Sequence, residues 1–154
     1  MTLKALGDSA WLVEFPGVSG EAALARVMGL VAALENDRPA RVLDVVPSFA
    51  SVAVHFDEVD GLEILDWIGS VEITDRSIAG EEHEIPVCYG GGYGPDLEEL
   101  AERTGLAVAE VIARHSGAAY TVAAVGFSPG FPYLLGLPEC LNVPRRETPR
   151  LAVP

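Results

Sequence analysis

A chain of 154 residues with 49% hydrophobic residues and a formal net charge of −13 carries enough apolar side chain for one medium domain or two small ones, which excludes intrinsic disorder. The acidity excludes nucleic acid and anionic membrane surfaces as partners, since both present phosphate to a negative protein. The opening residues, Met1 to Asp8, lack the apolar stretch of a signal peptide, and charges or glycines interrupt every apolar run before it could span a bilayer. Cys88 and Cys140 stand far apart and outside any Cys-x-x-Cys pair, which fits two free thiols in a reducing cytoplasm.

The first element read along the chain is a strand, Trp11 to Phe15, closed by Pro16-Gly17. Ser19 opens a helix with Glu21 in its first turn, where a carboxylate favours the helix dipole. Its apolar stripe is Leu24, Val27, Met28, Val31 and Leu34, and Asn36, Asp37 and Pro39 end it. Arg41 to Val46 reads as a second strand. Ser51 to Phe56 reads as a third, with Val52, Val54 and Phe56 on one face. A helix from about Asp57 turns Val59, Leu62, Leu65 and Ile68 inward, weakened at Gly61 by about 1 kcal/mol. The order strand, helix, strand, strand, helix predicts an α+β layer with helices on one face of an antiparallel sheet. The charged stretch from Asp75 to Glu84 places a domain boundary near residue 80.

The second part, residues 81–154, opens with a predicted edge strand, Glu84 to Tyr89, limited by Pro86. Gly90-Gly91-Gly92-Tyr93-Gly94 is a turn, and Pro95 stands at the first position of a helix that carries Leu97, Leu100 and Ala101 and stops at Gly105. A further helix spans about Val108 to His115. Its capping box is half complete, with Glu110 present and Ala107 in place of Ser or Thr. Tyr120 to Phe127 reads as a buried strand, followed by a proline- and glycine-rich loop to the end.

Several patterns touch on chemistry. Gly126-Phe127-Ser128-Pro129-Gly130 spells the G-x-S-x-G of a hydrolase elbow. However, Pro129 has no N–H for an oxyanion hole, and no helix follows. The glycine run before Asp96 lacks the Gly-Lys-Ser/Thr of a phosphate loop. His55, His83 and His115 have no partner at zinc-ligand spacing, so no metal site is expected. His115 is either a partly buried helix-end residue or one that lines a site. Arg145, Arg146 and Arg150 are three of ten basic residues, set among prolines. They either hold carboxylate or phosphate through their guanidinium forks or pair with the acidic body. Phe131 and Tyr133 lie on the same stretch, as exposed binding residues or as a plug in the protein's own fold.

The stretch Gly126 to Pro138 (GFSPGFPYLLGLP), with Pro144 to Arg150 (PRRETPR), resembles the signature of carboxyltransferase subdomains C and D. That family includes the B component of 5-oxoprolinase, the kinase inhibitor KipI and allophanate hydrolase subunit 1. Gly7-Asp8-Ser9-Ala10, Val45-Val46-Pro47-Ser48, Val54-His55-Phe56-Asp57, Ile85-Pro86-Val87-Cys88-Tyr89, Pro95-Asp96-Leu97, His115-Ser116 and Tyr120 extend the resemblance over the whole chain. The resemblance implies an N-terminal α+β domain over 1–80. Over 81–154 it implies the start of a cyclophilin-like β-barrel, which the chain leaves before closure. It implies a cytoplasmic, non-autonomous component of an ATP-dependent 5-oxoprolinase, acting with a KipA-like C component and a third protein. In such a complex 5-oxoproline is opened to glutamate. The chain alone is expected to bind no cofactor, ATP with Mg acting at the level of the complex. Arg145, Arg146, Arg150, Phe131, Tyr133 and His115 are the expected substrate- or anion-binding residues, and no catalytic residue is assigned. The alternative it implies is a KipI-like inhibitor docked on a sensor histidine kinase through the acidic N-terminal part. There, five basic residues face thirteen acidic ones, a net −8 over residues 1–80.

Overall fold

The computed structural model describes residues 1–57, 61–77 and 80–148. The chain forms two compact units, one of residues 1–80 with 122–135 and the other of residues 81–121 with those from Gly136 onward. Among the described residues no helix is long and apolar enough to cross a membrane.

The first unit is built on a four-stranded antiparallel sheet. Its strands are β1 (Thr2–Ala5), β2 (Ala10–Glu14), β3 (Val42–Pro47) and β4 (Ser51–Phe56), in the order β1-β2-β4-β3. Helices α1 (Gly20–Asn36) and α2 (Gly61–Ser70) supply the other layer, α1 lying against β3 and β4 and α2 against β2. The alternation read in β4 sets the register of this layer. Val52, Val54 and Phe56 are buried and Val13 stands opposite Val52, so one face of the sheet enters the core. Full burial of each such side chain is worth about 1.5–3 kcal/mol.

On α1, Leu24, Val27 and Leu34 are buried as the stripe predicts. Leu30 joins them, while Met28 and Val31 are only half-buried. On α2 the expected face is rotated. Ile64 and Ile68 are buried, Leu62 is 61% exposed and Leu65 is half-buried, whereas Val59 lies outside the described residues. The reason is geometric. At about 100° per residue Leu62 stands on the side of the helix away from Ile64. The Trp11 indole N–H also donates to the Gly61 carbonyl at 2.7 Å, which fixes the start of α2 over β2.

Strand β1 escapes a sequence reading because only Leu3 of its four residues is even half-buried. Its Lys4 pairs with Glu14, a charge on an edge strand of the kind that discourages further strand addition. Two devices shape the sheet's other side. Leu43 is an extra residue in β3, since Val42 faces Phe56 and Asp44 faces His55. The Arg38 guanidinium holds this bulge by donating to the Val42 and Leu43 carbonyls at 3.2 and 2.7 Å. Gly29 lets residues 73–76 cross α1, because a Cβ there would stand 2.3 Å from the Thr74 carbonyl oxygen.

A two-stranded sheet of β5 (Thr121–Val125) and β6 (Pro132–Leu135) belongs to the same unit but for Thr121. β5 is not the buried strand expected. Only Ala123 is buried, and Val125 is 62% exposed, since two strands alone leave broad faces uncovered. β6 lies where a loop was expected. Neither sheet closes into a barrel among the described residues; the fold is a mixed α/β one with antiparallel sheets.

In the second unit α3 (Leu97–Thr104) and α4 (Val108–Ser116) enclose Ala101, Val111 and Leu141, with Leu97, Leu100 and Leu106 packed around them. Gly105, at φ 69°, ends α3 in a Schellman arrangement. Its N–H reaches the Glu102 carbonyl, the Leu106 N–H reaches that of Ala101, and the Leu106 side chain joins the cluster. Pro95 precedes the helix by two positions instead of opening it, and Gly91–Tyr93 makes one 3-10 turn. The Glu110 carboxylate accepts from the Ala107 N–H at 3.2 Å, the half of the capping box that the sequence contains. The predicted strand Glu84 to Tyr89 is absent. That segment pairs with no sheet, and Ile85 is 77% exposed.

Candidate functional site

Of the three arginines expected to hold an anion, Arg146 has the most defined setting. Asp96 immediately precedes α3 and Glu99 is its third residue, so both carboxylates stand at the helix end where the dipole favours negative charge. The Arg146 Nη1 donates to Asp96 Oδ1 at 2.8 Å and to Glu99 Oε2 at 2.6 Å. One turn along α3, Arg103 donates through Nη2 to the Pro144 carbonyl at 2.7 Å and places Nη1 3.7 Å from Glu99 Oε1. The proline-spaced arginine segment is thus bound to α3 at two points. Arg145 is exposed, and Arg150 lies outside the described residues.

His115 stands in the last turn of α4 between two tyrosines. The Tyr89 hydroxyl is 2.6 Å from its Nδ1, and the Tyr120 hydroxyl donates to its backbone carbonyl at 3.0 Å. The Tyr89 ring meets the imidazole edge-on at 5.6 Å between centroids, and the Tyr120 ring lies at 5.5 Å. A neutral imidazole that accepts from Tyr89 at Nδ1 carries its hydrogen on Nε2. Burial, and secondarily the neighbouring Tyr89, pushes the Tyr120 phenol above its ordinary range. Next to His115, Arg114 Nη1 lies 3.7 Å from the Cys140 sulfur.

Phe131 and Tyr133 belong to the β5–β6 hairpin. Three hydrogen bonds order its loop. The Gly126 N–H donates to the Phe131 carbonyl, the Ser128 N–H to the Gly126 carbonyl and the Phe131 N–H to the Ser128 carbonyl. The last of these closes a turn with Pro129 second and Gly130 third at φ 78°, the pattern of a type II turn. The middle bond spans Phe127 alone, as in a γ-turn, and holds that residue at φ 64° with 92% of its surface exposed. Phe127, Phe131 and Tyr133 form a file of edge-to-face rings, 5.7 and 5.3 Å between successive centroids. Ser128 therefore sits in a hairpin turn that leads into a strand. It lacks both features of a nucleophile elbow, a following helix and a donor N–H at the next residue.

Among the described residues no group of three or more His, Cys, Asp or Glu side chains could hold a metal ion. Phe131, Tyr133, Arg146 and His115 have neighbours within their own units: Phe131 packs against Tyr133 in the first, and in the second Arg146 meets α3 and His115 its tyrosines.

The carboxyltransferase domain, subdomain C and D, family model matches residues 1–154. The chain belongs to this family. Among its curated relatives, the 5-oxoprolinase B component of Bacillus subtilis (strain 168) is 34% identical over 167 residues, which cover 99% of this chain and 70% of the relative. The 5-oxoprolinase B component of Escherichia coli O157:H7 is 38% identical over 154 residues, covering 97% and 69%. Among solved structures, that of TTHA0988 in space group P212121 aligns with a TM-score of 0.76 at 33% identity, over 94% of this chain and 29% of that one. The chain thus spans under a third of the solved protein's length.

Within this carboxyltransferase-type chain, the residues that sequence reasoning missed are partners of those it found. Asp96 and Glu99 stand about fifty positions from Arg146, and Tyr89 stands 26 from His115. No local pattern signals such pairs. The open groove between α1 and residues 70–76, lined by Trp67, Asp37 and Arg76 among others, contains none of the expected residues.

Proposed function

We propose that the chain is the B component of an ATP-dependent 5-oxoprolinase-type complex and acts only beside a KipA-like C component. The observation that carries this reading is the match of nearly the whole chain to two relatives named as B components of 5-oxoprolinase. Such a name belongs to a member of an assembly. A lactam carbonyl is a poor electrophile. Transfer of the ATP γ-phosphoryl group to its oxygen creates a leaving group. Attack by water then opens the ring, and glutamate, ADP and phosphate leave.

The described residues offer neither a metal cluster nor a lysine-bearing phosphate loop. In this reading ATP and Mg act at the level of the assembled complex, with a third protein, and no step is routed through this chain's side chains. The part proposed for the chain is positional. Arg145, Arg146 and Arg150 hold carboxylate or phosphate. Phe131 and Tyr133 present apolar surface, and His115 is held by its tyrosines at the end of α4. In this reading residues 81–154 belong to a cyclophilin-like barrel, residues 1–80 form the other domain, and the complex works in the cytoplasm. The test is deletion of the gene followed by growth on 5-oxoproline as sole nitrogen source. Lost growth with accumulated 5-oxoproline supports the proposal, and normal growth without accumulation overturns it.

A further inference from the structure

The partners of Arg146 resemble the ligand that the arginine segment is proposed to take. Two carboxylates address one guanidinium. Both bonds end on the same nitrogen, Nη1, so the parallel two-nitrogen fork of a bidentate arginine–carboxylate pair is not formed. The side chains of Arg146, Asp96 and Glu99 remain 45%, 48% and 43% exposed, where water and salt weaken such pairs. The contact is thus specific in geometry and weak in energy. Glu99 is shared between two arginines, since Arg103 Nη1 stands 3.7 Å from its Oε1. Arg103 holds the segment at a second point, the Pro144 carbonyl, so release of Arg146 loosens the backbone there without detaching it.

We infer that Asp96 and Glu99 act as a built-in competitor for Arg146, which a doubly charged anion, a dicarboxylate or a phosphate, displaces. The inference rests on the reading of the arginine segment as an anion site. A monoanion replaces two negative charges with one. A dianion replaces them like for like, offers paired oxygens to the unused fork and gains the adjacent Arg145. The acids steady the Arg146 side chain in the absence of ligand and raise the concentration of anion needed to occupy the segment.

The test uses Asp96→Asn with Glu99→Gln in one chain, Arg146→Gln, and Glu98→Gln as control. Glu98 is an exposed carboxylate of the same first turn, so its loss costs the same dipole interaction without touching Arg146. Hydrogen exchange over residues 142–147 without ligand reads the contact itself. The Asp96/Glu99 double variant and Arg146→Gln are expected to exchange about three- to tenfold faster than the wild type, and Glu98→Gln at the wild-type rate. Calorimetric titration with inorganic phosphate, glutarate and acetate reads the competition. The double variant is expected to bind phosphate or glutarate at least about threefold tighter than the wild type, acetate showing no gain and Arg146→Gln no binding. Which of the two dianions binds identifies the source of the charge. Unchanged exchange overturns the contact as a latch. Faster exchange with unchanged dianion affinity overturns the competition and leaves the anion reading standing. No dianion binding by any variant overturns both.

Discussion

His115 shows how one side chain is fixed by groups remote in sequence. Tyr89→Phe removes a single hydroxyl at 2.6 Å from the imidazole and leaves the ring contact in place. The expected loss is about 0.5–1.5 kcal/mol in stability, read by urea denaturation, with a changed His115 tautomer signal in nitrogen NMR. Tyr120 gives a pH dependence of definite sign. Its phenol is raised in the folded state, so above about pH 10 the unfolded chain loses the proton first and binds fewer protons than the folded one. Its contribution is complete below that pH and is lost as pH rises through the folded value. Tyr120→Phe should therefore flatten the alkaline limb of a plot of stability against pH. An unchanged limb would refute that assignment. The place of His115 at a helix end was legible, since the sequence predicts a helix over about Val108 to His115. Its tyrosine clasp was not, because hydrogen-bond partners 26 residues apart leave no periodic trace.

At the level of elements, periodicity revealed most where a strand or helix buries one face. β4 alternates without interruption, and its bounds and inward residues are those the sequence predicts. α2 has apolar residues on two sides, Leu62 and Ile64, and only packing against β2 selects between them. β1 and β6 were illegible because each has four residues and at most one is half-buried. The tight crossing at Gly29 was equally hidden, since a glycine inside a helix reads as a weakness until its neighbour is seen. Gly29→Ala drives a methyl group into the Thr74 backbone and should cost about 1–3 kcal/mol despite the better helix propensity of alanine. Thermal melting reads that balance, and a stabilised variant would show that residues 73–76 yield. Gly130→Ala forces a side chain into left-handed backbone at the hairpin turn. It should cost about 1 kcal/mol, seen as faster exchange of the Phe131 amide.

For the whole molecule, the distribution of core matters more than its total. Among the described residues the first unit buries a continuous cluster from Val13 to Ile68, drawn from two helices and three strands, while the second encloses only Ala101, Val111 and Leu141. Amide exchange is therefore expected to show α3 and α4 opening at lower free energy than β2 and β4, and equal protection would contradict it. The family was legible from the dense motifs of residues 126–150, and the antiparallel sheet from the alternation of β4. The way residues 122–135 group with the N-terminal unit was not, because contacts between distant segments are decided by surfaces that no single stretch encodes. The division also endows each unit with its own chromophore or reagent. Both indoles, Trp11 and Trp67, lie in the unit containing residues 1–80, and both exposed thiols, Cys88 and Cys140, lie in the other. Intrinsic fluorescence and alkylation kinetics would then follow the two halves independently in one sample, without a mutation or an attached dye.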